Sequence, residues 1–172
     1  MPKHGLEHSS ASLESKAKAI RLVLVDVDGV MTDGRLWISA EGETIKCFDS
    51  KDGLGLRRLM SEGIQVVLVT GRSSGAVERR AGELGIMEVY QGVSDKRRLA
   101  KDLRLKRGLE KDEVCAIGDD LPDIAMFEEA GLRVAVADAV KEVREQADMV
   151  TRNKGGRGAV RELCDWILSN RA

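Results

Sequence analysis

Short apolar runs alternate with amphipathic segments along most of this chain. Ile20–Val25 reads IRLVLV, Ile64–Val69 reads IQVVLV and Val114–Ile117 reads VCAI; Glu88–Gln91, Leu132–Val136 and Met149–Val150 are shorter or weaker runs. The strong runs show no polar–apolar alternation, so they predict strands covered on both faces, as in a parallel sheet. Helical spacing of apolar residues predicts helices between and after them, at Asp52–Ser61, Gly75–Leu84, Asp95–Lys106, Leu121–Ala130, Val140–Gln146 and Ala159–Leu168. In the first of these, Leu54, Leu56, Leu59 and Met60 are assigned to one side. A turn or two of helix is also expected at Leu13–Ala19. Strand–helix alternation of this kind predicts an α/β fold, a three-layer, doubly wound parallel sheet of Rossmann-like type.

The segment Gly34–Phe48, GRLWISAEGETIKCF, breaks the pattern. Leu36, Trp37 and Ile38 form one arm, Thr44, Ile45 and Cys47 the other, and Ala40-Glu41-Gly42-Glu43 the turn of a β-hairpin inserted after the first strand. A lone two-stranded hairpin is marginal in water. Two readings stay open: the hairpin folds back on its own domain, or it pairs with copies of itself in an oligomer. The second is preferred. Residues 1–11 are read as a disordered tail and 12–172 as a single domain.

Composition narrows the picture. A chain of 172 residues suits one domain with a substantial core. Aromatic residues make up only 3%, so that core must be built from aliphatic side chains and Met. The net charge of −1 gives no basic excess to attract nucleic acid, and no basic–aromatic cluster suggests base stacking. Cys47, Cys115 and Cys164 are odd in number and far apart, and read as free thiols in a reducing compartment. No signal peptide and no membrane span is visible, which fits a cytoplasmic location.

In open α/β sheets, ligands bind beyond the carboxyl ends of the strands. Asp26-Val27-Asp28-Gly29 follows the first strand here, and Thr70-Gly71-Arg72 the second. Gly118-Asp119-Asp120 follows the fourth, with Asp123 a turn further on, and Lys96 begins an intervening helix. Crowded carboxylates repel and call for a divalent cation. An oxygen donor set selects Mg²⁺, and with only His4 and His8 in the chain, both near its start, zinc is disfavoured. A carboxylate can attack phosphorus as a nucleophile. Asp26 is assigned that role; Asp28 is assigned general acid and base. Thr70 can bond a phosphoryl oxygen, and Lys96 can neutralise the phosphoryl charge. Asp119 completes the metal site, and Asp123 orients Lys96 or a water on the metal. Singly, each residue has an ordinary alternative as a turn residue, helix cap or solvated lysine. Their joint order makes that alternative poor.

The order resembles that of the haloacid dehalogenase superfamily of phosphatases. DVDGVMTDG (Asp26–Gly34) is similar to its first motif, and VLVTGR (Val67–Arg72), Lys96 and GDDLPD (Gly118–Asp123) to the other three. The resemblance implies a HAD-like fold and a metal held by the Asp26 side chain, the Asp28 backbone carbonyl and Asp119, with Asp120 and Asp123 just behind it. The chain further resembles small, capless, tetrameric members, and over nearly its whole length the 3-deoxy-D-manno-octulosonate 8-phosphate phosphatases. FDSKDGLGLRRL, YQGVSDK, VAVADA and TRNKGGRGAVRELCD carry this likeness. It implies a homotetramer in which a neighbouring subunit closes the site, a sugar-acid phosphate substrate and a role in lipopolysaccharide synthesis. Gly71, Arg72 and Arg80 are then expected at the substrate. Phosphatases of nine-carbon acid sugars share the frame, but their second motif can read TGE where this chain has TGR. Some relatives carry a further tail over the site; whether a tail from a neighbouring subunit gates it is left open.

Two readings compete with the phosphatase. A receiver domain also combines acidic residues, a Thr and a Lys, but places its acceptor after the third strand. A catalytically idle assembly domain is expected to lose catalytic residues, whereas Asp26, Asp28, Thr70, Lys96 and Asp119 are all present.

Overall fold

The apolar runs assemble into the expected sheet. The computed structural model describes residues 10–171. β1 (Leu22–Asp26) lies inside a six-stranded parallel sheet and pairs with β4 (Gln65–Val69) on one side and β6 (Val114–Gly118) on the other. β5 (Glu88–Tyr90) extends the sheet beyond β4; β7 (Leu132–Ala135) and β8 (Met149–Val150) extend it beyond β6. Every residue of β1 and β6 is buried, which explains their unbroken apolar sequence.

Helices cover the sheet. α1 (Ser10–Ala19), α2 (Ser50–Ser61), α3 (Gly75–Leu84) and α7 (Ala159–Ser169) form one set of neighbours; α4 (Lys96–Lys106), α5 (Leu121–Phe127) and α6 (Lys141–Gln146) form the other. α1 begins at Ser10, so it takes in the last two positions of the expected tail; residues 1–9 lie outside those described. Among the described residues, no helix is long and apolar enough to cross a membrane.

Two expectations about helices need correcting. Leu54 is 51% exposed, while Leu56 and Leu59 are fully buried. Residues two apart on a helix point to opposite sides, so Leu54 cannot share the face of Leu56. α5 ends at Phe127 rather than Ala130, because the chain turns to bring Gly131 onto Lys111 and Val114, whose carbonyls accept its N–H.

α2 and α7 approach closely at Gly55, where a β-carbon would stand 3.1 Å from Cys164. α7 opens with Gly158, which has no side chain to cap the helix. Asp52, buried in the first turn of α2, supplies the cap: its carboxylate accepts from Gly158 N at 3.3 Å and Arg161 N at 2.8 Å.

The hairpin is present as β2 (Trp37–Ser39) and β3 (Gly42–Ile45), an antiparallel pair separate from the main sheet. Ser39 pairs with Gly42, so the turn is Ala40-Glu41 alone, tighter than the four-residue turn expected. Leu36, Trp37, Ile38 and Ile45 are 41%, 58%, 65% and 60% exposed, so the hairpin does not bury this face on its own domain.

Replacing Asp52 with Ala removes the acceptor from the start of α7. The expected loss is about 1–3 kcal/mol of stability, measured by urea denaturation.

Candidate active site

Register alone brings the predicted residues to one edge. Asp26 is level with Val69 in β4, and Val25 is level with Ile117 in β6. Thr70, directly after Val69, and Asp119, two residues after Ile117, therefore flank Asp26 where the three strands end. The turn after β1 is tied back on itself. Met31 N and Thr32 N both reach the Val27 carbonyl, and the Thr32 hydroxyl accepts from Gly29 N and Gly34 N at 3.2 Å.

Asp26 is 4% exposed and Lys96 7%. The Lys96 ammonium bridges Asp26 Oδ1 at 2.6 Å and Asp123 Oδ1 at 2.7 Å. The other oxygen of Asp123 accepts from Asp119 N at 2.9 Å and Asp120 N at 3.2 Å. Asp123 thus orients Lys96 and fixes the backbone that carries Asp119. Asp120 has a different task from the one expected beside the metal. It is exposed, and its carboxylate caps α5 through Leu121 N at 2.8 Å, because α5 starts at the next residue.

Asp28 sits apart from the Asp26–Lys96–Asp123 group. Its Oδ2 accepts from the Thr70 hydroxyl at 3.2 Å, and its Oδ1 is bonded to the Lys46 ammonium. Thr70 was expected to face a phosphoryl oxygen; here its proton goes to Asp28, and its oxygen accepts from Arg72 N at 3.2 Å. Gly71 and Arg72 are exposed on the same loop. Arg80 is not brought to this cluster: it pairs with Glu83 at 3.4 Å and lies over Gly53 of α2, where a β-carbon would stand 2.4 Å from its guanidinium.

Two close approaches show why glycine is required around the cluster. Gly29 has φ +94°, and a β-carbon there would fall 1.9 Å from Asp119 Oδ2. At Gly155, a β-carbon would fall 1.7 Å from the Gly29 carbonyl oxygen. Gly156 N also donates to Val30 O at 2.8 Å, so the segment before α7 braces the turn after β1.

Sequence reasoning did not single out Lys46, Thr32 or Gly155 at this site. Thr32 stands within the first motif and could have been read as a brace for its turn. Lys46 gives no local signal, since it lies 18 residues from Asp28 at the base of the hairpin.

Three carboxylates here converge. One oxygen from each of Asp26, Asp119 and Asp123 lies within 4.8 Å of the others. Burial pushes the Asp26 carboxyl up to about 7, and the charge on Asp123 adds to the rise while Lys96 opposes it. Asp119 is raised to about 8, again by burial first and then by Asp26 and Asp123. Burial works against the charge of Lys96, but the two carboxylates outweigh it and hold its pKa above the usual value. One ammonium cannot compensate three carboxylates. The surplus negative charge and the all-oxygen donors, with Asp119 brought in close over Gly29, fit a small divalent cation such as Mg²⁺.

Comparison with known proteins agrees with this geometry. Residues 80–163 match the haloacid dehalogenase-like hydrolase family. The 3-deoxy-D-manno-octulosonate 8-phosphate phosphatase KdsC of Escherichia coli K12 is 45% identical over 159 residues, covering 92% of this chain and 85% of that protein. The chain belongs to this phosphatase family. The crystal structure of the Moraxella catarrhalis phosphatase, in complex with magnesium, phosphate and KDO, superposes with a TM-score of 0.91. It is 42% identical, and the match covers 95% of this chain and 94% of that one. The cobalt-bound Haemophilus influenzae phosphatase superposes at 0.88 with 41% identity, over 91% of each chain.

The raised pKa values give a signed prediction. Asp26 and Asp119 bind protons more tightly in the folded chain than in the unfolded one, so their contribution to stability is lost as pH rises through about 7 and 8. Between about pH 4 and 8 the chelated protein should lose thermal stability with rising pH from these two groups, and the loss should level off above that. Millimolar Mg²⁺ should restore it, most strongly at the alkaline end. Differential scanning calorimetry checks both trends, and Asp119→Asn should blunt them.

Proposed function

We propose that this chain hydrolyses 3-deoxy-D-manno-octulosonate 8-phosphate to the free sugar acid and inorganic phosphate, a step in lipopolysaccharide precursor synthesis. The observation that carries this reading is the buried Asp26–Lys96–Asp123 group beside Asp119, in a chain 45% identical to KdsC over nearly its full length.

In this reading Asp26 attacks phosphorus. A P–O bond forms to its carboxylate as the bond to the sugar oxygen breaks, leaving an aspartyl-phosphate. Asp28 gives a proton to the departing alkoxide, then takes one from the water that hydrolyses the intermediate. Lys96 holds Asp26 in line and balances charge on the phosphoryl group. The Thr70 hydroxyl, which donates to Asp28 in the free chain, turns to a phosphoryl oxygen in this reading. Mg²⁺ would be held by the Asp26 side chain, the Asp28 carbonyl and Asp119, and supplies charge neutralisation and orientation of phosphoryl oxygens. Phosphoryl transfer depends chiefly on such positioning and electrostatics. Arg72 supplies a guanidinium group suited to a sugar carboxylate; Arg80 from α3 would have to leave Glu83 and its place over Gly53 to join it.

The assembly is a cytoplasmic homotetramer built through the hairpin. The exposed Leu36, Trp37, Ile38 and Ile45 support this, since a monomer gains nothing by leaving them in water.

Two measurements test the proposal. A panel of sugar-acid phosphates assayed with Mg²⁺ should favour the octulosonate 8-phosphate over nine-carbon 9-phosphates. Asp26→Asn should abolish turnover, by at least about a thousandfold, with the circular dichroism spectrum unchanged; turnover within tenfold of the parent would overturn the nucleophile assignment. Separately, Trp37→Glu should lower the sedimenting mass below that of a tetramer, and an intact tetramer would count against the hairpin interface.

A further inference from the structure

The pairing of Asp28 with a buried lysine from the hairpin is not explained by assembly or by metal binding. Lys46 directly follows the last residue of β3. Its neighbour Ile45 is 60% exposed, yet the Lys46 side chain is only 2% exposed. Lysine tends to keep its ammonium in water, and burying it is costly unless the charge meets a partner. Asp28, whose side chain is 18% exposed, is a partner of that charge.

The arrangement around Asp28 is specific. Lys46 holds Oδ1 from the hairpin, and the Thr70 hydroxyl holds Oδ2 from the end of β4. Two donors from unrelated segments fix both the position of the carboxyl group and its rotation about the Cβ–Cγ bond. When the Thr70 hydroxyl turns to a phosphoryl oxygen, Lys46 still holds Asp28 Oδ1, and without Lys46 the carboxyl could swing. Asp26 needs no such support, because it ends a rigid central strand and is gripped by Lys96. Asp28 lies two residues further, in the turn, where no strand pairing restrains it.

We propose that Lys46 is a positioning residue that aims the Asp28 carboxyl at the leaving-group oxygen, so that the hairpin contributes to catalysis as well as to assembly. This rests on the reading of Asp28 as general acid. In the acid step a proton passes from the Asp28 carboxyl to the sugar oxygen as that oxygen's bond to phosphorus breaks, and the carboxylate left behind is the form that accepts from Lys46 and Thr70. A small misplacement of a catalytic group is enough to slow such a transfer markedly.

Leaving-group chemistry separates this role from a merely structural one. A sugar alkoxide needs a proton to depart, whereas p-nitrophenolate leaves well without one. kcat/KM reports formation of the aspartyl-phosphate for both. Lys46→Met, which keeps the length of the apolar stem, should lower kcat/KM for the sugar-acid phosphate about a hundredfold. For p-nitrophenyl phosphate the fall should stay within about threefold, since no acid is required. Lys46→Arg should fold normally and recover much of the loss, with the remaining deficit confined to the sugar substrate. Asp28→Asn is run beside them and should show the same selectivity. If both substrates fall in proportion in the Lys46 variants, or neither falls, the positioning role is wrong. If Asp28→Asn itself lacks the selectivity, the acid assignment of Asp28 fails, and the role of Lys46 with it. Should Lys46→Met not fold, Lys46→Arg alone decides: selectivity for the alkyl substrate supports the role, and its absence refutes it.

Discussion

Mutual repulsion among Asp26, Asp119 and Asp123 is the constraint around which this end of the molecule is organised. Three carboxylate oxygens within 4.8 Å, largely out of water, are unfavourable for any fold. Lys96 meets two of the three, and the backbone N–H groups of Asp119 and Asp120 stabilise the far oxygen of Asp123. The chain tolerates the remaining imbalance because its central strands are fully buried and hold the cluster in place. A dedicated cation site follows from this frustration. The protein gives up some stability in the metal-free state and gains a preorganised seat for metal and phosphate.

The surrounding segments keep the seat the right size. Gly29 leaves room for Asp119, and Gly155 leaves room for the carbonyl of Gly29. Asp52, more than a hundred residues from α7 in the chain, caps the helix that follows this glycine segment. Contacts that look like plain packing therefore reach Asp26 within two or three steps. The hairpin joins from the other side, where Lys46 grips Asp28.

Much of this was legible in the sequence. Parallel strands flanked by helices at known polarity dictate which residues share an edge, so Asp26, Thr70 and Asp119 could be placed together before any coordinates. Lys96 followed from its position at a helix start, and Asp123 from its spacing after Asp119. Features set by tertiary packing were not legible. Whether Arg80 points to the site or to α2 depends on a side-chain direction that no motif encodes. Asp120 could equally serve a cation or a helix, and the helix claims it. Lys46 pairs across a hairpin whose tilt the sequence does not specify. The exposure of Leu54 was the exception: helical geometry already placed it opposite Leu56, and its hydrophobicity alone suggested otherwise.

The order of strands also bears on how the enzyme comes into being. Asp26 precedes Thr70, Lys96 and Asp119 by 44, 70 and 93 residues, and none of these partners is local. β1 cannot be flanked on both sides until β6 has been synthesised and has paired. Non-local pairing of this kind is slow, because long loops must close before any contact compensates for them. A nascent or partly unfolded chain would thus carry Asp26 with neither its ammonium partner nor its metal seat. Reactivity toward phosphate esters would then switch on only with the last central strand, and fragments cut before β6 would be inert rather than promiscuous.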